Sequence, residues 1–262
     1  MAKKVDWTLD GDVAVITIDN APLNLLDIAT IEDFGTAVTA VRESDARAVL
    51  LRATGRIFSG GADVGMFRGM TAREAASRFQ VWLSYVHRLE MAPVPTIAAV
   101  HGLCLAGGLE LALACDLILA AEGTKLGQTE ASIGTTTLLG GAQRIAQRAG
   151  TSRARRICFT AAMFDAVEFE RWGIVDSVVP AASLEAEAMT LARELAAGPT
   201  QAHATVKAMI RVAATSGVQA ADDFLLAHAL ELFDSDDMIH GVDTLLEHGA
   251  RDFRAHTAYV GR

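Results

Sequence analysis

The chain lacks the features of several large protein classes. Its 262 residues include 23 Lys and Arg against 32 Asp and Glu, and its net charge is −9. The densest basic stretch, TSRARRIC, is short, whereas nucleic-acid binding needs a basic patch. RNA binding is therefore disfavoured even as a side activity. A membrane helix needs roughly 18 consecutive apolar residues, and Glu110 and Asp116 interrupt the best candidate segment, so no membrane association is expected.

Cysteine is also scarce, with only Cys104, Cys115 and Cys158. Three is an odd number, and no two of them form a CxxC pair, so a disulfide framework is not indicated. The first ten residues, MAKKVDWTLD, contain no apolar signal core. We therefore expect reduced thiols that serve as packing residues, in a cytoplasmic protein.

Several catalytic signatures are missing as well. There is no GxSxG sequence, which is the usual nucleophile elbow of a serine hydrolase. No His, Cys or Asp cluster has metal-ligand spacing, so no metal site is expected. The absence of a GxGxxG or Walker-type loop leaves nicotinamide binding and nucleotide hydrolysis unsupported.

What the chain does contain is an alternation of strand-like and helix-like segments. Ile31 begins a stretch of helical spacing, and a capping box formed by Thr71 and Glu74 predicts a helix that ends before Pro93. Such alternation predicts parallel strands with crossover helices, and thus an α/β fold. The predicted strands are VAVITI (13–18), AVLLRA (48–53), TIAAVHG (96–102), DLILAAE (116–122) and IVDSVVP (174–180).

After Ser183 the pattern is helical throughout. The segment LEAEAMTLARELAA ends at Gly198-Pro199, which is a helix stop. We therefore divide the chain into an α/β core, residues 1–195, and a helical C-terminal region, residues 196–262. The sequence shows no low-complexity linker and no clear repeat.

Two glycine-rich turns are the first candidates for chemistry. FSGGAD (58–63) and LAGGLE (105–110) each follow a strand and lead into helical structure. Glycine lets a backbone approach a ligand closely, and a helix start presents free N–H groups. Two such turns can aim two N–H groups at one oxygen, as in an oxyanion hole. The alternative is that they are ordinary turns, as most Gly-Gly pairs are.

Two carboxylates lie in apolar surroundings. Glu110 stands among Leu109, Leu111 and small residues, and Glu130 lies in KLGQTEASIG. Paired carboxylates in an apolar cleft can act as general acid and base. The alternatives are a simple first-turn carboxylate at Glu110 and a solvated loop residue at Glu130. His101 is better explained as a packed histidine, and GGAQR (140–144) as a helix start rather than a phosphate loop.

The motifs IFSGGADV, AAVHGLCLAGGLELALACDLILAAE and LGQTEASIG…GGAQR, in this order and spacing, resemble those of the crotonase superfamily, the enoyl-CoA hydratases and isomerases. The resemblance extends over essentially the whole chain. It implies a crotonase-like spiral of ββα units with two roughly perpendicular sheets. It also implies a helical C-terminal region for trimerisation, with trimers often paired into hexamers.

The resemblance further implies roles for particular residues. The amides of Ala62 and Gly107 would form the oxyanion hole for an acyl-CoA thioester. Glu110 and Glu130 would be the catalytic pair that holds the water, since hydratases of the family carry glutamate at both positions. No separate cofactor is implied, because coenzyme A is part of the substrate. The further substrate-binding positions expected are Gly61, Asp63, Gly108, Gly134 and Leu138.

The activity implied is hydration of a trans-2-enoyl-CoA to a 3-hydroxyacyl-CoA. The alternatives are an enoyl-CoA isomerase, a specialised acyl-CoA dehydratase or a thioester hydrolase on the same fold, or a non-catalytic oligomeric member. The sequence departs from the family pattern at Thr137 and Leu138, where a Pro-Gly pair is common. The lysine that often follows the GAD motif is missing, and Arg251 and Arg254 are candidates to bind the CoA phosphates.

Overall fold

A computed structural model describes residues 3–261 of the chain. Within that range the larger sheet has six strands in the order β1-β2-β3-β4-β6-β9. Strand β1 pairs antiparallel with β2, and the other neighbours are parallel. The strands of this sheet are β1 (Val5–Asp10), β2 (Val13–Ile18), β3 (Ala48–Ala53), β4 (Thr96–Val100), β6 (Leu117–Ala121) and β9 (Ser177–Val179).

The smaller sheet has three strands in the order β5-β7-β8. These are β5 (Leu103–Leu105), β7 (Lys125–Gly127) and β8 (Phe164–Asp165). The predicted strand 96–102 is too long, because β4 ends at Val100 and a new strand starts at Leu103. Gly102 between them has φ +62°, and a Cβ there would lie 2.3 Å from the carbonyl oxygen of Arg56. This left-handed glycine lets the chain leave one sheet and enter the other.

Helices connect the strands and cover the larger sheet. They are α1 (Ile28–Arg42), α2 (Ala72–Glu90), α3 (Gly107–Leu113), α4 (Gly141–Ala149), α5 (Thr151–Thr160), α6 (Ala166–Arg171), α7 (Leu184–Ala196), α8 (Thr200–Ser216), α9 (Val218–His228) and α10 (Asp236–His256), with short 3₁₀ turns at Val64–Phe67, Glu130–Ile133 and Ala229–Asp234. The capping box of α2 is confirmed, since Thr71 and Glu74 satisfy each other's backbone N–H groups. The α/β prediction is confirmed too.

The two faces of the larger sheet carry separate parts of the core. On β2, Ala14, Ile16 and Ile18 point to the side covered by α1 and α2. The alternate residues Val13 and Val15 pack with one face of α7 on the other side. This period of two is what strand geometry requires of a sheet that is buried on both faces.

The last three helices bury little within the chain. Neither α8 nor α9 contains a fully buried residue, and α10 is broken at Gly249, where φ is +73°. Arg47 connects this region to the core through Thr200 Oγ1, Gly198 O and Tyr259 O, at 2.8 to 3.0 Å. Lys207 adds an ion pair with Asp116 at 2.7 Å.

Candidate active site

The two glycine-rich loops lie directly against each other. Ser59 N donates to Leu103 O at 3.0 Å, and Leu105 N donates to Ser59 O at 3.0 Å. A Cβ on Gly61 would lie 2.8 Å from that of Ala106, and one on Gly108 would lie 2.5 Å from that of Ser59. Glycine at these two positions is therefore what permits the close approach. In both cases the atoms that the added Cβ would meet belong to the opposing loop.

The loops bring two backbone N–H groups together. A Cβ built on Gly107 would lie only 3.8 Å from Ala62 N. Gly107 is the first residue of α3, so its N–H has no partner within the helix. No acceptor within residues 3–261 takes the N–H of Ala62 or Gly107. Two unpaired donors on adjoining loops that line the same pocket can bind one oxygen atom.

Buried polar side chains fix the first loop. Ser59 Oγ donates to Asn24 O at 2.7 Å and accepts from Gly61 N at 3.1 Å. Asn24, in a left-handed conformation with φ +47°, donates to Thr54 O and Ile57 O at 2.8 and 2.9 Å. Sequence reasoning missed this arrangement, because Asn24 lies more than thirty positions from the loop that it holds.

A mostly apolar pocket opens to solvent at the loops. Its wall includes Ala62 and Gly107, both candidate glutamates and Leu138. The other lining residues are mostly apolar, with a few hydroxyls: Leu26, Ile31, Gly60, Val64, Met66, Phe67, Phe79, Ala106, Thr129, Ser132, Ile133, Thr135, Thr136 and Leu139.

Glu110 is buried, with only 2% of its surface exposed. Its Oε1 accepts from Leu139 N at 2.9 Å and from Gly141 N at 2.8 Å. Burial raises the pKa of Glu110 to about 7, which the Gly141 N–H opposes and the charge of Glu130 reinforces. The group therefore exchanges its proton near neutral pH, as a general acid or base must.

Glu130 begins a 3₁₀ turn and is half-buried at the same pocket. Burial raises the pKa of its carboxyl as well. In the amide orientation that satisfies its hydrogen bonds, buried Gln128 donates to both oxygens of Glu130, at 2.8 and 3.1 Å. Glu130 is thus held at the pocket wall, and it is not a freely solvated loop residue.

Other predicted binding residues lie outside the pocket lining. Gly61 and Gly108 contact the opposing loop, as described above. Asp63 caps the following 3₁₀ turn by accepting from Gly65 N at 2.9 Å. Gly134 is exposed and ends the turn that starts at Glu130, with φ +76°. The two candidate phosphate ligands, Arg251 and Arg254, are exposed on α10.

Two further absences apply to the described part of the chain. Residues 3–261 contain no group of three or more His, Cys, Asp or Glu side chains that could hold a metal ion. Nor does any helix in that range have the length and apolar character needed to cross a membrane.

Paired carboxylates and two free backbone N–H groups at one apolar pocket are typical of an enzyme active site. Comparisons with known proteins identify the family. The Enoyl-CoA hydratase/isomerase family model matches residues 8–256. A probable enoyl-CoA hydratase of Bacillus subtilis is 31% identical over 257 residues, which is 95% of this chain and 98% of that protein. A short-chain-enoyl-CoA hydratase of Clostridium acetobutylicum is 32% identical over 227 residues, 86% of this chain and 85% of that one.

A solved structure supports the same family and fold. Enoyl-CoA hydratase subunit I from Geobacillus kaustophilus superposes with a TM-score of 0.90 at 30% identity, covering 99% of this chain and 98% of that one. The chain therefore belongs to the enoyl-CoA hydratase/isomerase family and has the crotonase fold.

Proposed function

We propose that this protein is an enoyl-CoA hydratase, which adds water across the 2,3 double bond of a trans-2-enoyl-CoA to give a 3-hydroxyacyl-CoA. The observation that carries the proposal is the presence of two carboxylates, Glu110 and Glu130, at one apolar pocket. Both have a raised pKa. An isomerisation needs only one group to move a proton between carbons, whereas water addition uses one group for the water and one for the carbon.

The thioester oxygen accepts from the N–H groups of Ala62 and Gly107. These donors stabilise the negative charge that develops on the oxygen when a nucleophile adds at C3. Because they are fixed by the packing of two loops, they need no reorganisation during the reaction. The apolar wall around them strengthens the interaction by excluding water.

The two glutamates accept and donate the protons of the reaction. Glu110 takes a proton from the water as its oxygen bonds to C3, and Glu130 gives a proton to C2 as the enolate collapses. The π bond is consumed, one C–O and one C–H bond form, and no electrons leave the system. The pair ends with the proton on Glu110, and exchange with solvent restores the starting state.

The same proposal extends to the substrate, the cofactors, the assembly and the location of the protein. The substrate is an acyl-CoA thioester, and no separate cofactor or metal takes part. The active protein is a homotrimer or a hexamer of paired trimers, assembled through the C-terminal helical region, residues 196–262, and it works in the cytoplasm. Exposed apolar side chains on α8 to α10, including Ile210, Leu226 and Leu246, support that assembly.

The test is loss of the conjugated thioester absorbance of crotonyl-CoA. The wild type should abolish this absorbance rapidly. Glu130→Gln and Glu110→Gln should each lower kcat by about 10²-fold or more, the usual contribution of a general acid or base. Glu194→Gln, on the exposed side of α7, is the matched control and should behave as wild type. Measurable crotonyl-CoA binding without hydration would reject short-chain hydratase activity. Products formed from a 3-enoyl-CoA then separate isomerase from hydratase.

A further inference from the structure

The guanidinium of Arg144 joins helix α2 to the loop that contacts Glu110. Its Nε and Nη2 donate to the two carboxylate oxygens of Glu90 at 2.9 and 2.6 Å. Its Nη1 donates to Leu139 O at 2.9 Å and Gly140 O at 3.1 Å. The Arg144 side chain is only 7% exposed and its two bonds to the loop carbonyls are buried, whereas the Glu90 side chain is 33% exposed.

The same loop also donates two hydrogen bonds to Glu110, one of them from a peptide group that Arg144 contacts. The peptide between Gly140 and Gly141 points its carbonyl at Arg144 and its N–H at Glu110 Oε1. Leu139 contacts both side chains through two successive peptide groups: its oxygen accepts from Arg144, and its N–H, on the preceding peptide, donates to Glu110. A peptide placed between a cation and an anion is polarised by both, and such chains of hydrogen bonds strengthen one another.

Two glycines make this close arrangement possible. Gly140 has φ +97°, and a Cβ there would lie 1.9 Å from Arg144 Nη1. A Cβ on Gly141 would lie 2.3 Å from the side-chain amide of Gln128 and 3.1 Å from Glu110 Cγ. The loop is therefore packed between the arginine on one side and the polar side chains of the site on the other.

We propose that Arg144 is a positioning residue for Glu110, acting through residues 139–141, and that Glu90 holds the guanidinium in place. The proposal deepens the hydratase function proposed above and rests on it for its catalytic meaning. Arginine suits the role because its planar group can bind a carboxylate along one edge and carbonyl oxygens with the other nitrogen. Lysine, with a single nitrogen, cannot make all four contacts.

The charged and titratable groups around Glu110 determine how loss of the Arg144 charge should shift the pKa of Glu110. Glu130, on the 3₁₀ turn, raises the pKa of Glu110, and Arg144, on α4, lowers it. Cys158, on α5, is also within electrostatic reach of both glutamates. Of these three, only Arg144 carries positive charge, so its removal should raise the pKa of Glu110.

The first experiment follows the carboxyl of Glu110 directly by infrared difference spectroscopy. Each protein is titrated beside its own Glu110→Gln counterpart, so that the difference isolates that one carboxyl. In Arg144→Met we expect Glu110 to titrate at higher pH than in wild type. In Glu90→Gln the cation remains and its competing anion is gone, so we expect no upward shift. Both variants break the same ion pair, and the opposite results would therefore identify the charge of Arg144 as the cause.

Arg148→Met is the matched control. Arg148 lies one turn further along α4 and binds Cys115 O, Asp116 O and Ile174 O. This variant removes the same charge from the same helix without touching residues 139–141. It should lower the thermal unfolding temperature while leaving the Glu110 titration in place. An equal shift in Arg148→Met and Arg144→Met, or no shift in a folded Arg144→Met, overturns the proposal.

The rate measurement uses Arg144→Lys, which keeps the charge and also serves if Arg144→Met does not fold. We expect its kcat for crotonyl-CoA to fall by about 10-fold or more, because small misplacements of a catalytic group are costly. KM should change little, and the acid limb of the pH profile should stay near that of wild type. Unchanged kcat in Arg144→Lys contradicts the positioning role. If the wild type hydrates no enoyl-CoA, the proposed function fails, while the infrared titration still decides the link between Arg144 and Glu110.

Discussion

Gly141 donates its backbone N–H to Glu110 Oε1 at 2.8 Å, although 31 positions separate the two residues. Together with the N–H of Leu139, this bond engages one carboxylate oxygen completely. The other oxygen accepts no hydrogen bond from residues 3–261, so it is the one that can take a water molecule. The loop thus orients a carboxylate that burial alone would leave without partners.

The first prediction concerns stability and pH. Burial raises the pKa of Glu110 from 4.5 to about 7, so ionising it costs free energy only in the folded state. Its contribution to the free energy of unfolding is fully present below pH about 4.5 and is lost as the pH rises through about 7. At about 1.4 kcal/mol per pKa unit, the loss is about 3 kcal/mol.

Urea denaturation of wild type and Glu110→Gln across this pH window measures the effect. Glutamine cannot ionise. As the pH rises, the free energy of unfolding of the wild type should therefore fall relative to that of Glu110→Gln. Glu130 contributes with the same sign, and the difference between the two proteins removes the part of its contribution that does not depend on the charge of Glu110. A difference that stays constant through the window would contradict the raised pKa.

The second prediction concerns the contact between the two loops. In Gly108→Ala, the added Cβ meets Ser59 at 2.5 Å, so the loops must separate and the N–H groups of Ala62 and Gly107 diverge. We expect kcat to fall by about 10²-fold, the cost typical of losing one oxyanion donor. Steady-state hydration of crotonyl-CoA is the measurement.

Gly123→Ala provides the control for this variant. Gly123, unlike Gly108, has a positive φ, at +78°, and a Cβ there meets nothing within 4 Å. The substitution should cost stability through backbone strain and leave kcat as in wild type. Equal losses of kcat in both glycine variants would show that general destabilisation, and not loop separation, lowers the rate.

The third prediction concerns the apolar wall. Phe79 lines the pocket and packs edge-on against buried Trp82, with ring centroids 5.0 Å apart. Phe79→Ala should enlarge the pocket and raise kcat/KM for longer enoyl-CoA chains relative to crotonyl-CoA. A shift of about 10-fold is expected, since one methylene in an apolar pocket is worth roughly 1–3 kcal/mol.

A series of enoyl-CoA substrates of increasing length measures this preference. Phe159→Ala is the control, because Phe159 is 77% exposed and lies outside the pocket lining. Its chain-length profile should match that of wild type. If Phe79→Ala and Phe159→Ala give the same profile as wild type, Phe79 does not limit the acyl chain.

The local signals in the sequence were sufficient for most of the fold. Strands β2 and β3 are found at the predicted residues, and α2 starts at its predicted capping box. Strand β1 was missed because it is an edge strand with mostly exposed residues, which gives little apolar pattern. The break at Gly102 was also missed: glycine permits the left-handed φ of +62°, but the close packing against Arg56, 46 positions earlier, is not visible in the local sequence.

The site was less accessible to sequence reasoning. The spacing of glycines and glutamates indicated which residues to examine, and the structure brings Ala62, Gly107, Glu110, Glu130 and Leu138 to one pocket. The loop amides that hold Glu110, the buried Ser59 and Asn24, and the Glu90–Arg144 pair have no sequence signature. Each depends on chain segments brought together only by tertiary packing.

The weak burial of α8 and α9 has a consequence for local unfolding. A segment held mainly by Arg47 and Lys207 has a smaller opening free energy than the sheet beneath it. In an isolated subunit its amide protons should therefore exchange with solvent well before those of β2 to β4. Such an opening leaves the pocket residues in place, because none of them lies beyond Leu139 in the chain. The outer helices can therefore open without displacing the residues that line the pocket.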